Sequence, residues 1–246
     1  FGRKKGLTTL ITLVLTGLVI FTVFVPSILA GMNIYAMAVV VCLYVIVTTL
    51  VILNGFNRKT LTAIFGCFSG ILAAAAVMGL MDTSLHLTGM ISDEAMYLTY
   101  LPLDHSIDLK AIIFSGMIIG AMGAVMDVAM SISSSLWEIK RNSRAIAAKG
   151  LFASGMAIGR DIMGTMANTL ILAYIGSSLS TVLLLIVYDP SLMFLLNREM
   201  IIVEILQALV GSFGILFAVP LTALAAALIY TRKKQLPEKP RDSIDT

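Results

Sequence analysis

With 59% hydrophobic and only 13% charged side chains, a chain of 246 residues cannot coat a water-soluble domain with polar groups, so the soluble classes are excluded and an integral membrane protein is implied. The net charge of +3 is no sign of nucleic-acid binding, because the basic residues cluster where a membrane protein keeps its topological signals.

Crossing a hydrocarbon core of roughly 30 Å takes about 20 apolar residues at ~1.5 Å rise each. Six runs satisfy that length, near residues 7–30, 34–53, 60–81, 111–137, 163–187 and 200–230. The predicted fold is therefore all-α, a single transmembrane bundle over 1–246 with a linker at 138–162 and a tail at 232–246. Lys and Arg are retained on the cytoplasmic side of short loops. Arg3, Lys4 and Lys5 precede the first span, and Arg58 and Lys59 separate the second and third. Lys140, Arg141, Arg144, Lys149 and Arg160 lie between the fourth and fifth, and Arg232, Lys233, Lys234, Lys239 and Arg241 follow the sixth. These make 15 of the 17 basic residues, leaving only Lys110 and Arg198 for the other side, so both termini are expected in the cytoplasm.

The first span has the basic start and small-residue end ("SILAG") of a secretory signal, but its apolar run is longer than the usual 7 to 15 residues. It is read as a retained helix. Cys42 and Cys67 fall inside the second and third spans as small hydrophobes, and two cysteines there make no disulfide framework. The longest outer connection, "DTSLHLTGMISDEAMYLTYLPLDHSID", carries Asp82, His86, Asp93, Glu94, Asp104, His105 and Asp108 and no Lys or Arg. Carboxylates and imidazoles can hold a cation, yet no metal-ligand spacing is present. The favoured reading is a short amphipathic helix with Tyr97 and Tyr100 at headgroup level, and no metal or other cofactor.

In the fourth span, Gly116, Gly120, Gly123, Asp127, Ser131, Ser134 and Glu138 recur every three or four residues and so form one stripe. Gly116 and Gly120 are a GxxxG pair, which lets another backbone approach. A carboxylate near the middle of a span costs about 2.5–3.5 kcal/mol even on insertion-derived scales, so Asp127 is expected to face protein. The connection "EIKRNSRAIAAKGLFASGMAIGR" reads as a basic amphipathic helix on the cytoplasmic surface, attracted by anionic lipid. The fifth span then supplies Asp161, Thr165, Asn168 and Thr169, and running in the opposite direction it brings Thr165 or Asn168 level with Asp127.

This cluster admits two readings, a proton relay and a structural hydrogen-bond knot. Burial favours the neutral acid, whereas hydrogen bonds from Asn or Thr favour the carboxylate, and a balance of the two lets Asp127 load and release a proton. Arg160 and Asp161 at the inner edge can pair with each other or with Glu138, a pairing that most often fixes helix orientation but serves equally as a gate if it breaks on protonation. Glu204 and Gln207 can extend the polar path, but a Glu near the outer boundary is more simply a headgroup-level residue. Pro220 removes a backbone hydrogen bond within the sixth span, and the 15 methionines are adaptable filler. There is no HExxH, no phosphate-binding GxxxxGK[ST], no GxSxG and no second deep aspartate for an intramembrane protease, so no enzyme is expected.

The stretches "GAMGAVMDVAMSISSSLWEIKRNS" and "GMAIGRDIMGTMANTLILAYIGSSLSTVLLL" resemble the YibE/F-like family of multi-pass membrane proteins, over roughly Leu109 to Tyr230. The short chain without an ectodomain is similar to the YibF-type member, which implies a bacterial cell membrane and a YibE-type partner that carries the ectodomain. More distantly, the Gly-x-x-Gly-x-x-x-Asp helix, the linker and the Thr- and Asn-rich helix resemble one six-helix half of resistance-nodulation-division permeases and of SecD and SecF. That resemblance implies a proton pathway through the position of Asp127. This chain departs from it in having Met126 and Asp127 where many such permeases have two aspartates, and only "AGMN" where they insert a large domain.

Together these features predict one subunit of a proton-coupled export or translocation assembly, with Asp127 as carrier, Asn168, Thr165 and Thr169 as its polar shell, and Gly116, Gly120 and Gly123 as the sliding contact. The expected partners are the lipid bilayer and either a YibE-type subunit or a second copy of the chain, with no nucleic acid. The alternative is a non-transporting scaffold for a partner, in which Asp127 locks helices together. Access of water to Asp127 discriminates the two.

Overall fold

The computed structural model describes residues 3–85, 87–91, 93–100, 102, 106–143, 145–188, 193 and 198–231. Their regular structure is entirely helical: α1 (Arg3–Val19), a π-helical turn (Ile20–Phe24), α2 (Val25–Leu29), α3 (Ile34–Asn54), α4 (Arg58–Leu85), α5 (Asp93–Thr99), α6 (Leu109–Asn142), α7 (Ala148–Tyr188) and α8 (Glu199–Thr231). Six stretches are long and apolar enough to cross a membrane, with α1, the π turn and α2 forming the first. The π turn ends two residues before Pro26, which has no N–H to return to the Thr22 carbonyl, and a widened turn accommodates that loss.

Local chemistry sets the helix starts. Asn33 and Asp108 cap α3 and α6 by accepting from the Ala36 and Ala111 amides at 3.0 Å each, and Asn57 accepts from the Thr60 amide at 3.0 Å at the start of α4. Gly31 and Gly55 make the turns between the first three spans at φ of 72° and 73°.

α8 is the central helix, packing on α4, α6 and α7, while α3 lies against α4 and α6, and α1 packs on α3 and the π turn. Inside a bilayer no hydrophobic force drives helices together, so close backbone approach and interhelical hydrogen bonds must do it. Glycines on three helices provide that approach. Gly66 and Gly70 of α4 lie against Thr222 and Ala218 of α8, Gly155 and Gly159 of α7 against Ala223 and Val219 of α8, and Gly214 of α8 against Val125 of α6. α6 supplies the bulky side chains for these gaps: Val125, Ile132 and Leu136 are fully buried, reaching Gly214, Gly159 and Gly155 respectively.

The linker expected at 138–162 is not a separate helix on the surface. α6 continues to Asn142, a short connection follows, and α7 starts at Ala148 and runs unbroken past residue 162. The reason is the GxxxG pair Gly155 and Gly159, which fits these turns into the bundle against α6 and α8, with Leu151 fully buried. Arg144 and the tail at 232–246 lie outside the described residues.

At the opposite end of the bundle, Glu199 in the first turn of α8 accepts from the Thr88 amide (2.8 Å), the Gly89 amide (2.8 Å) and the Thr88 hydroxyl (2.6 Å). The short helix expected in this connection is α5, on which Tyr97 is exposed, as is Tyr100 just beyond it. Of the cation ligands considered there, His86, Asp104 and His105 lie outside the described residues.

Candidate functional site

α6 is 34 residues long, and Asp127 sits 18 residues from its first residue and 15 from its last, near the middle of the span. Its backbone position follows from the packing of the opposite face. Val125, Val128, Ala129 and Ile132 are fully buried against the bundle, which turns Gly116, Gly120, Gly123, Asp127, Ser131 and Glu138 to the chain's own surface. The stripe is real as a face, but among the described residues little covers it. A Cβ on Gly116 or Gly123 would meet nothing within 4 Å, and one on Gly120 would meet only the Tyr174 hydroxyl at 3.3 Å and the Gln207 amide nitrogen at 3.8 Å.

Asp127 makes no hydrogen bond or ion pair among the described residues. The described residues therefore do not supply the polar contact with protein expected for it. Two contacts bracket its depth on α7: Gly159 lies beside Ile132, and Tyr174 beside Gly120. Interpolating between them puts Asp127 at the level of about Thr165.

Thr165, Asn168 and Thr169 are all exposed, as Asp127 is, and none of them bonds to it. The Thr165 hydroxyl donates to the Ile162 carbonyl at 2.9 Å and the Thr169 hydroxyl to the Thr165 carbonyl at 2.8 Å, so both satisfy their own helix. Arg160 and Asp161 are exposed, about three turns into α7, without an ion pair among the described residues. Glu138 accepts from the Asn142 side chain at 3.3 Å and does not meet Arg160. Thus Asp127 on α6 and Thr165, Asn168 and Thr169 on α7 are exposed on neighbouring helices, and among the described residues no hydrogen bond joins the α7 groups to Asp127.

The polar contacts that do join helices went unmarked in the sequence. The Ser133 hydroxyl donates to the Lys59 carbonyl at 2.7 Å, and the Tyr230 hydroxyl lies 2.7 Å from the Ser133 oxygen, tying α4, α6 and α8 together at one end. Trp137 packs edge-on against Tyr230, centroids 5.1 Å apart. Toward the other end, the Tyr174 hydroxyl is buried beside Gln207 without a hydrogen bond of good geometry.

A family model described as YibE/F-like protein matches residues 1–232, and so takes in the first three spans as well as the region from Leu109 to Tyr230 whose residues carry the resemblance. No curated protein and no solved structure matches the chain. An all-helical chain with six candidate spans, matched by that model over almost its whole length, belongs to the YibE/F-like family of multi-pass membrane proteins.

Proposed function

We propose that this chain is one subunit of a membrane transport or export assembly of the bacterial cell membrane, coupled to protons through Asp127 and completed by a YibE-type partner or a second copy. The observation that carries the reading is the exposure of Asp127, unpaired, on a glycine-lined face in mid-span. Leaving that carboxylate in lipid costs about 2.5–3.5 kcal/mol, and a second chain seated on α6 removes the cost while closing a polar compartment around it. The uncovered Thr165, Asn168 and Thr169 beside it would then line the same compartment, and Arg160, Asp161 and Glu138 its inner edge. The reading is non-enzymatic, and it leaves the substrate open.

One observation favours a second reading, a scaffold that holds a partner without transporting. Thr165 and Thr169 spend their hydroxyls on their own helix, so no relay is formed in the chain by itself. Proton flux in liposomes containing the chain with and without its partner, for wild type and Asp127→Asn at matched folded yield, separates the two. Flux that requires the partner and disappears in the Asn variant supports the carrier. Flux that is absent under every gradient, with partner binding lost in the Asn variant, supports the scaffold.

A further inference from the structure

A groove of about 330 Å³ opens to the bilayer between α7 and α8, next to the α6 face at Tyr174, which lines the groove and also lies beside Gly120. Its walls run from Ile171 to Val182 on α7 and from Ile201 to Ser212 on α8. Eleven residues of rise make it about 16 Å long, against about 15 Å for the hydrocarbon thickness of one leaflet. It therefore matches a single acyl chain lying along the helices within the leaflet on the Glu199 side.

The lining is apolar by construction as well as by composition. Ser178 and Ser212 border the groove, but their hydroxyls donate to the Tyr174 and Ala208 carbonyls at 3.0 and 2.8 Å, so neither offers a free donor to an occupant. The Tyr174 hydroxyl is buried beside Gln207, which leaves Glu204 as the charged group in the wall, a half-buried carboxylate about one and a half turns from the start of α8. Among the described residues nothing bonds to it or pairs with it. An apolar trough one leaflet long, with a carboxylate near its headgroup end, is complementary to an amphiphile whose head presents an ammonium.

We propose that this groove binds a membrane lipid whose headgroup carries a primary ammonium, with an acyl chain along α7 and α8 and the ammonium at Glu204. A primary ammonium has three donors for the carboxylate, whereas a quaternary one has none, so the site prefers phosphatidylethanolamine to phosphatidylcholine. The inference is independent of the proton-coupled reading, since it uses neither Asp127 nor the α6 face.

The test is native mass spectrometry of the full chain extracted from vesicles of equal phosphatidylethanolamine, phosphatidylcholine and phosphatidylglycerol. Wild type is expected to retain one lipid, with the ethanolamine species enriched roughly fivefold over the choline species. Glu204→Gln should keep a bound lipid but lose the preference, and Ala208→Phe, which fills the trough, should lose the lipid at unchanged helix content. Retained preference in Glu204→Gln would overturn the headgroup assignment. Retained lipid in Ala208→Phe, or a wild type that retains no lipid at all, would overturn the groove as a lipid site.

Discussion

Thr222 of α8 rests directly on the Cα of Gly66 of α4: a Cβ on Gly66 would overlap the Thr222 side chain and stand 2.9 Å from the Thr222 Cα. Neither backbone can retreat without opening the row formed by Gly70, Ala218 and Gly214 one turn further along, where a Cβ on Gly70 would lie 2.9 Å from the Ala218 Cβ and 3.1 Å from the Gly214 carbonyl oxygen. Gly66→Ala should therefore destabilise the chain by about 1–3 kcal/mol, as overpacking does. Gly79→Ala, with nothing within 4 Å, should be neutral or slightly stabilising. Thermal unfolding in detergent, followed by helix content, compares them directly.

The glycines of α6 should behave in the opposite way. Gly116 and Gly123 face open space, so replacing either by Leu leaves the isolated chain as stable as wild type. If a second chain packs on that face, the same side chains hold it off. Expected in co-purification with the partner is a loss of complex for both variants, with unfolding of the single chain unmoved. A complex that survives both substitutions would place the partner elsewhere.

That contrast marks how far the residues alone could be read. The six spans were legible because hydropathy and length decide them, and the stripe of α6 was legible because a helical period assigns side chains to faces. Which face is covered was not. Periodicity presented Gly116, Gly120 and Gly123 as a packing surface, and the chain instead packs through Gly66, Gly70, Gly155, Gly159 and Gly214, with Val125, Ile132 and Leu136 of α6 as the inserted bulk. The signal was present in "GCFSG" and "GMAIG", each a GxxxG pair. Around the second, Lys149, Arg160 and Asp161 give the sequence the look of a surface linker, although charges do not end a helix as a missing N–H or a cap does. The Glu204 groove depends on the distance between α7 and α8, which no local pattern encodes.

Ser133 has one hydroxyl proton, and the Lys59 carbonyl at 2.7 Å takes it, so the Tyr230 hydroxyl must be the donor between Tyr230 and Ser133. Tyr230 also lies 3.1 Å from the Ser133 carbonyl. Tyr230→Phe then removes a donor but leaves Ser133 bonded, and should cost about 1 kcal/mol. Ser133→Ala strips a partner from both Lys59 and Tyr230 in a fully buried site and should cost about 1–3 kcal/mol. The double variant should cost less than the sum, because the two residues share one interaction. Additive losses in denaturant unfolding would contradict this geometry.

Glu199 fastens residues 88 and 89 to the start of α8 through three hydrogen bonds, and Gly89 holds a φ of 88° with its Cα close against Leu109. A carboxylate in the first turn also sits favourably at the positive end of the helix dipole. Glu199→Gln keeps an acceptor oxygen but gives up the charge, whereas Glu199→Ala leaves both amides and the Thr88 hydroxyl to find water. The Ala variant should lose about 1–3 kcal/mol of local stability and the Gln variant less. Because Thr88 is exposed, the loss should be confined to this connection: amide exchange at residues 88 and 89 rises in Ala above Gln above wild type, while exchange within the bundle at Val125 and Ile215 stays as slow as before. Faster exchange throughout the bundle would instead make Glu199 a determinant of the global fold.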